Sequence, residues 1–148
     1  MPSIPTEALL DVIVLIATVF EDHVAHARAR PFVRGITRFA TTPTTQGGFL
    51  RFATRPWKAE QKREQPPRLT MAGAMEKLRE LTASAGHFFL PDSVPFTDIG
   101  LRSMQGRRQW TDAYLLRCAR HHGLALASLE SRMANLDDPA TPALSVLP

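Results

Sequence analysis

The sequence predicts an α/β protein, a parallel sheet covered by helices on both faces in three layers, α/β/α. Three observations predict it. Short apolar runs alternate with segments of helical periodicity, in the order strand, helices, strand, helices, strand, helices, strand, and this alternation is the signature of a parallel sheet with helical crossovers. One such run, LALASL (124–129), reads as a buried strand, and another, ALLDVIVLIA (8–17), is apolar at nine of ten positions. The chain of 148 residues, 44% hydrophobic and 22% charged, is long enough for one domain, residues 1–148, with a proper core.

The elements follow in order. Residues 9–11 read as a short strand, with a helical turn starting near Ile13. Residues 22–34, DHVAHARARPFVR, read as a helix with Asp22 as its cap; Pro31 predicts a kink, or a break just before it. TRFAT (37–41) is a strand. TPTTQGGFLRFATR (42–55) is a helix despite Gly47 and Gly48, with Thr44 or Thr45 near its start. WKAEQKREQPPR (57–68) is polar, ends in a Pro pair and reads as a loop. In 70–84, Met71, Met75, Leu78 and Leu81 have near-helical spacing, and Gly86 closes that helix. HFFLP (87–91) is a strand, FTDIGLRSM (96–104) a short helix, and QWTDAYLLRCARHH (109–122) an amphipathic helix stopped by Gly123. ALSVLP (143–148) forms a last strand.

Several classes of protein drop out. The longest apolar run is broken by Asp11 and falls short of the roughly 20 residues that cross a bilayer. MPSIPTEA lacks the basic start of a signal peptide. Cys118 is the only cysteine, so intramolecular disulfides and multi-cysteine zinc sites are excluded, and a cytoplasmic location is expected. GxGxxG, GxxxxGK[ST] and HExxH are absent, which removes the reading as a nucleotide-cofactor enzyme or zincin. The net charge is +4 and the pI about 10.0. Residues 51–68 hold six Arg or Lys against two Glu, and residues 101–122 five Arg against one Asp. Such local excess suits a polyanion such as RNA, DNA or an acidic protein segment; the plainer explanation is a solvated face.

The chemistry is carried by acids. Asp11 closes the first strand, where open parallel sheets place ligands. An unpaired carboxylate in so apolar a run is costly to bury, so it needs a partner or a task. Asp112 lies in the first turn of its helix, with Leu115, Leu116 and Ala119 at i+3, i+4 and i+7, so it shares the stripe that faces the core. Glu130 directly follows LALASL. Three acids thus converge on one sheet edge, where a divalent cation would relieve their repulsion. Mg²⁺ takes oxygen ligands and keeps several waters, so two or three carboxylates suffice, and it activates water and stabilises a phosphoryl transition state. Each acid also has a plain reading: Asp112 and Glu130 as helix caps, Asp11 as an arginine's partner. Other candidates read as structural. His23 and His26, at i, i+3 beside Asp22, are surface or packing residues more readily than metal ligands. His121 and His122 suit a helix C-terminus, His87 begins a strand, and Cys118 packs.

The segments LLDVIVLIA, DHVAHARA, FATTPTTQGGFLRFATRP, FLPDSVPF and GRRQWTDAYLLRCARHHGLALASLE, in this order over residues 8–135, resemble VapC-type PIN-domain ribonucleases, the toxins of bacterial toxin–antitoxin pairs. The most specific piece is TDAYLLRCARHHGLALASLE, where the family reads TDAYLLALAxxHGxxLATFD. The resemblance implies a three-layer PIN fold, Mg²⁺- or Mn²⁺-dependent endoribonuclease activity, a VapB-like antitoxin and a homodimer. It implies that Asp11 and Asp112 are the first acid and the acid of the TD motif, that Glu130 replaces the usual Asp, and that Ser128 keeps the hydroxyl of the usual Thr. Two further departures are Ile13 for the usual Asn and Gln46 for a frequent Glu. Glutamine still offers an oxygen, but no charge. The expected function is therefore cleavage of RNA with Asp11, Asp112 and Glu130 on the metal, Gln46 near the site, and Arg51, Arg107 and Arg108 on the RNA. The alternative is a degenerate PIN domain that binds antitoxin or RNA with weak or no nuclease activity.

Overall fold

The computed structural model describes residues 4–58, 64–100 and 104–148. Its centre is a five-stranded sheet built from β1 (Glu7–Leu10), β2 (Arg38–Thr41), β5 (His87–Phe89), β6 (Ala125–Ser128) and β7 (Leu144–Val146). The spatial order is β5-β2-β1-β6-β7, and every neighbouring pair is parallel. The crossovers are α1 (Val12–Val19), α2 (His26–Gly35), α3 (Pro43–Thr54), α4 (Met71–Thr82) and α5 (Trp110–His121).

The strands feed two cores, one on each face. Ala8 and Leu10 of β1 join a cluster with Val14, Leu15, Phe32, Phe49 and Leu78, drawn from α1 to α4. Leu9 points to the other face and joins Leu115, Leu116, Ala119 and Leu126, under α5. Successive side chains leave a strand on opposite faces, so a strand sandwiched between helix layers must be apolar at consecutive positions. That is why ALL is unbroken before Asp11, and it is the three-layer α/β/α arrangement that the sequence predicts.

Local chemistry sets the ends. The Thr42 hydroxyl accepts from the Thr45 amide while the Thr45 hydroxyl accepts from the Thr42 amide, a reciprocal cap for α3; Thr44 and Thr45 lie in its first turn, as expected. The Thr70 hydroxyl caps α4. Gly123 has φ +67°, the left-handed conformation that ends a helix at little cost only in glycine. Gly48 serves packing: a Cβ there would lie 2.7 Å from Val12 Cγ2, so α3 approaches α1 closely because position 48 has no side chain.

Four expectations are corrected. Asp22 caps nothing: α2 starts at His26 behind Ala25, without a side-chain cap, and Asp22 instead pairs with Arg68 at 2.6 Å. Pro31 neither ends nor splits α2, which runs on to Gly35; Pro31 and Ala27 are both exposed, so the Ala27 carbonyl left without its i+4 amide faces water. The segment 57–68 is not all loop, since β3 (Trp57–Lys58) pairs antiparallel with β4 (Glu64–Gln65). Of the helix expected over 96–104, only a 3₁₀ turn, Phe96–Asp98, forms, and 101–103 lie outside the described residues. Among the described residues no helix is long and apolar enough to cross a membrane.

Candidate active site

Asp11 stands at the carboxyl end of β1, between the sheet and α1. Its backbone N–H continues the ladder to Ala127 O at 3.0 Å. Its side chain is 5% exposed and both oxygens are held. Oδ1 accepts from the Val12 amide at 2.7 Å, which caps α1, and Oδ2 accepts from the Ser128 hydroxyl at 2.8 Å. Ser128 ends β6, the adjacent strand, and its hydroxyl oxygen accepts in turn from the Glu130 amide at 3.0 Å. The serine found in place of threonine thus ties Asp11 to the chain that carries Glu130.

Asp112 enters from the first turn of α5, half-buried. Its carboxyl is pushed up to about 6, first by burial and then by the charges of Asp11 and Glu130. Asp11 is also raised, mainly by burial, against which the Ser128 and Val12 hydrogen bonds act, with the charge of Glu130 adding to the rise. No basic side chain figures among the influences on either. The structure therefore brings Asp11, Asp112 and Glu130 together, mutually repelling and partly desolvated, at the carboxyl edge of the sheet.

Glu130 also fulfils its plainer reading. Its Oε1 accepts from the Arg132 amide at 3.0 Å and caps the 3₁₀ turn Ser131–Asn135. Among the described residues no group of three His, Cys, Asp or Glu side chains is arranged as it stands to hold a metal ion. The donor set nonetheless fits a hard divalent cation: all its members are carboxylate oxygens, with no thiol or imidazole, which is the chemistry that suits Mg²⁺ or Mn²⁺.

Gln46 lies on the first turn of α3, one strand further along the edge. Its Nε2 donates to Thr41 Oγ1 at 2.9 Å, and Thr41, the last residue of β2, is bonded to His87 Nε2 at 2.7 Å. Ile13 is 42% exposed and contributes no polar atom. Arg51, Arg107 and Arg108 are exposed. His23 and His26 serve the turn into α2: Nδ1 of His23 accepts from the Ala25 amide at 3.1 Å, and Nδ1 of His26 lies 2.7 Å from Ala17 O. His122 lies 3.3 Å from the Ser93 hydroxyl, and Cys118 is buried in the α5 core.

Two acids escape sequence reasoning. Asp137, 8% exposed, accepts from Arg120 at 2.7 Å and from the amides of Asp138, Ala143 and Leu144, holding β7 to α5. Asp92, just beyond β5, accepts from Thr44 at 2.8 Å; with burial, it pushes the Tyr114 hydroxyl up to about 12. The signal for Asp137 is only the turn-rich NLDDPATP around it, and Thr41 shows itself only as the polar end of a strand.

Residues 8–139 match the family model of the PIN domain, and the chain belongs to that family. It is 36% identical over 139 residues to ribonuclease VapC38 of Mycobacterium tuberculosis H37Rv, covering 91% of this chain and 94% of that one. It is 36% identical over 129 residues to ribonuclease VapC29 of M. tuberculosis CDC 1551, covering 86% and 89%. A structure of VapBC2 from Rickettsia felis bound to a promoter DNA fragment superposes with a TM-score of 0.62 at 9% identity, over 96% of this chain and 99% of that chain, a likeness of fold.

Proposed function

We propose that this PIN-domain ribonuclease is the toxin of a toxin–antitoxin pair and cuts RNA internally with Asp11, Asp112 and Glu130, which hold Mg²⁺ or Mn²⁺. The observation that carries the reading is Asp112. Its carboxyl is raised to about 6 by burial and by two neighbouring acids, a cost that structure alone does not require and that a cation would remove.

Each residue has a part. The Val12 amide and the Ser128 hydroxyl hold Asp11 in one orientation, so it presents its remaining lone pairs without rearrangement. Asp112, already largely ionised at neutral pH, would have its repulsion by Asp11 and Glu130 relieved by the cation. Glu130 keeps Oε1 on the Arg132 amide and has Oε2 to contribute. When bound, the cation supplies an acidified water and offsets the charge that develops on the phosphate. Exposed Arg51, Arg107 and Arg108 provide positive surface for RNA phosphates, and Gln46 offers a neutral oxygen nearby. A VapB-like antitoxin, a homodimer and a cytoplasmic location complete the proposal; the relatives' names and the Rickettsia VapBC2 complex support the antitoxin.

The test is cleavage of total bacterial RNA by the purified chain with Mg²⁺, with Mn²⁺ and with EDTA. Discrete fragments that need the metal are expected. The Glu130 cap favours a second reading, a binding module without chemistry. Absence of cleavage under every condition, together with no heat on titrating Mn²⁺, would select it.

A further inference from the structure

A glutamine at an active-site edge has a problem that a glutamate lacks. A carboxylate accepts hydrogen bonds through either oxygen. An amide accepts through one end and donates through the other, so a 180° flip reverses what it offers. In this fold a hydrogen-bonded chain through the buried Thr41 hydroxyl settles the flip.

Gln46 Nε2 donates to Thr41 Oγ1 at 2.9 Å. Thr41 is 0% exposed, and the other side-chain partner of its hydroxyl is Nε2 of His87, at 2.7 Å. Having accepted from the amide, the Thr41 hydroxyl sends its own proton to His87, and burial lowers the pKa of that ring, favouring the neutral form that can accept it. Each bond dictates the polarity of the next. What remains is Oε1. Gln46 and His87 both line a cavity of about 310 Å³ beside α4.

We propose that His87 and Thr41 are positioning residues that lock the Gln46 amide with Oε1 outward, where it accepts from a hydrogen-bond donor of the bound RNA or of its hydrating water. This rests on the ribonuclease reading of the site.

The test compares variants in RNA cleavage, kcat and KM measured separately. Thr41→Val keeps the shape and removes the hydroxyl. It should lower kcat by about tenfold, the worth of one hydrogen bond of roughly 1.4 kcal/mol, with a smaller change in KM. Thr41→Ser restores the hydroxyl and should recover most of that loss. His87→Gln, which keeps an acceptor at the Nε2 position, should outperform His87→Phe. The discriminating arm is Gln46→Glu: a carboxylate cannot be mis-flipped, so adding Thr41→Val in that background should change kcat by less than about twofold. Equal losses in Thr41→Val and Thr41→Ser, or an undiminished Thr41→Val effect in the Gln46→Glu background, would overturn the relay. Melting temperatures identify any variant that fails to fold, and the His87 pair carries the test if Thr41→Val does. Asp112→Asn is run in parallel. If it retains full activity, the reading of the acid site fails. If it is dead while Thr41→Val and His87→Phe cleave normally, only the relay fails.

Discussion

Asp112 and Asp11 occupy similar places on the sheet edge and differ in how the protein treats them. Asp11 has two donors, Val12 and Ser128, which offset part of its burial. Asp112 has burial and two like charges working against it. The consequence for stability has a definite sign. The folded carboxyl titrates near 6 and the unfolded one near 3.8. Between those values the unfolded chain has already lost its proton and the folded chain has not, so this group makes stability fall as pH rises from about 4 to 6 and leaves it lower above. Asp112→Asn removes that cost. Without metal, the variant should be about 2 kcal/mol more stable than the parent at pH 7, the full conversion of the shift being reduced because the carboxyl is only half-buried, and the gap should close by pH 4. Urea denaturation at both values, with EDTA present, measures it. A variant less stable than the parent at pH 7 would mean that Asp112 has a structural partner.

At the scale of elements, the strands and long helices are legible because their signals are local. LALAS, TRFAT and the α5 stripe carry their periodicity or their apolar runs in plain view, and Gly123 ends α5 where expected, whereas α4 ends at Thr82 behind Ala83, before Gly86. What fails depends on partners distant in sequence. Asp22 looks like a helix cap until Arg68, 46 residues on, claims it. Pro31 looks disruptive until the exposure of Ala27 shows that the lost amide costs little there. Gly48 looks like a weakness in a helix, and is instead the point where α3 meets Val12. Gly48→Ala should therefore destabilise the fold by about 1–3 kcal/mol through overpacking, although alanine is the better helix former. Pairing it with Val12→Ala should recover part of the loss. A stabilised single variant in thermal melts would show that α1 and α3 have room to spare.

Across the whole molecule, the sheet order brings together residues more than a hundred positions apart. β1 and β6 are neighbours, so Asp11 meets Ser128 and Glu130, and α5 leads Asp112 to the same edge. The acids are legible from sequence because strand ends and the TD motif mark them; the fixing of Gln46 through Thr41 and His87 is not, because it spans three elements. The far edge is closed by the Arg120–Asp137 pair, which ties α5 to the strand next to β6. Asp137→Ala would leave Arg120 with only the Thr141 carbonyl and three backbone amides without their carboxylate acceptor, and should cost about 3 kcal/mol, visible as a lower melting temperature, with Asp137→Asn losing less. Equal melting of Asp137→Ala and the parent would show that the pair contributes nothing to the closure of that edge.

That the acid cluster performs chemistry is tested most directly by one comparison. A single RNA is cut by the parent chain and by Asp112→Asn, side by side, in Mn²⁺ at pH 7.5, with circular dichroism confirming that both are folded. Metal-dependent cleavage by the parent is expected, with a loss of at least about a hundredfold in the variant. An Asp112→Asn chain that cuts the same RNA at the parental rate would contradict the role of the cluster.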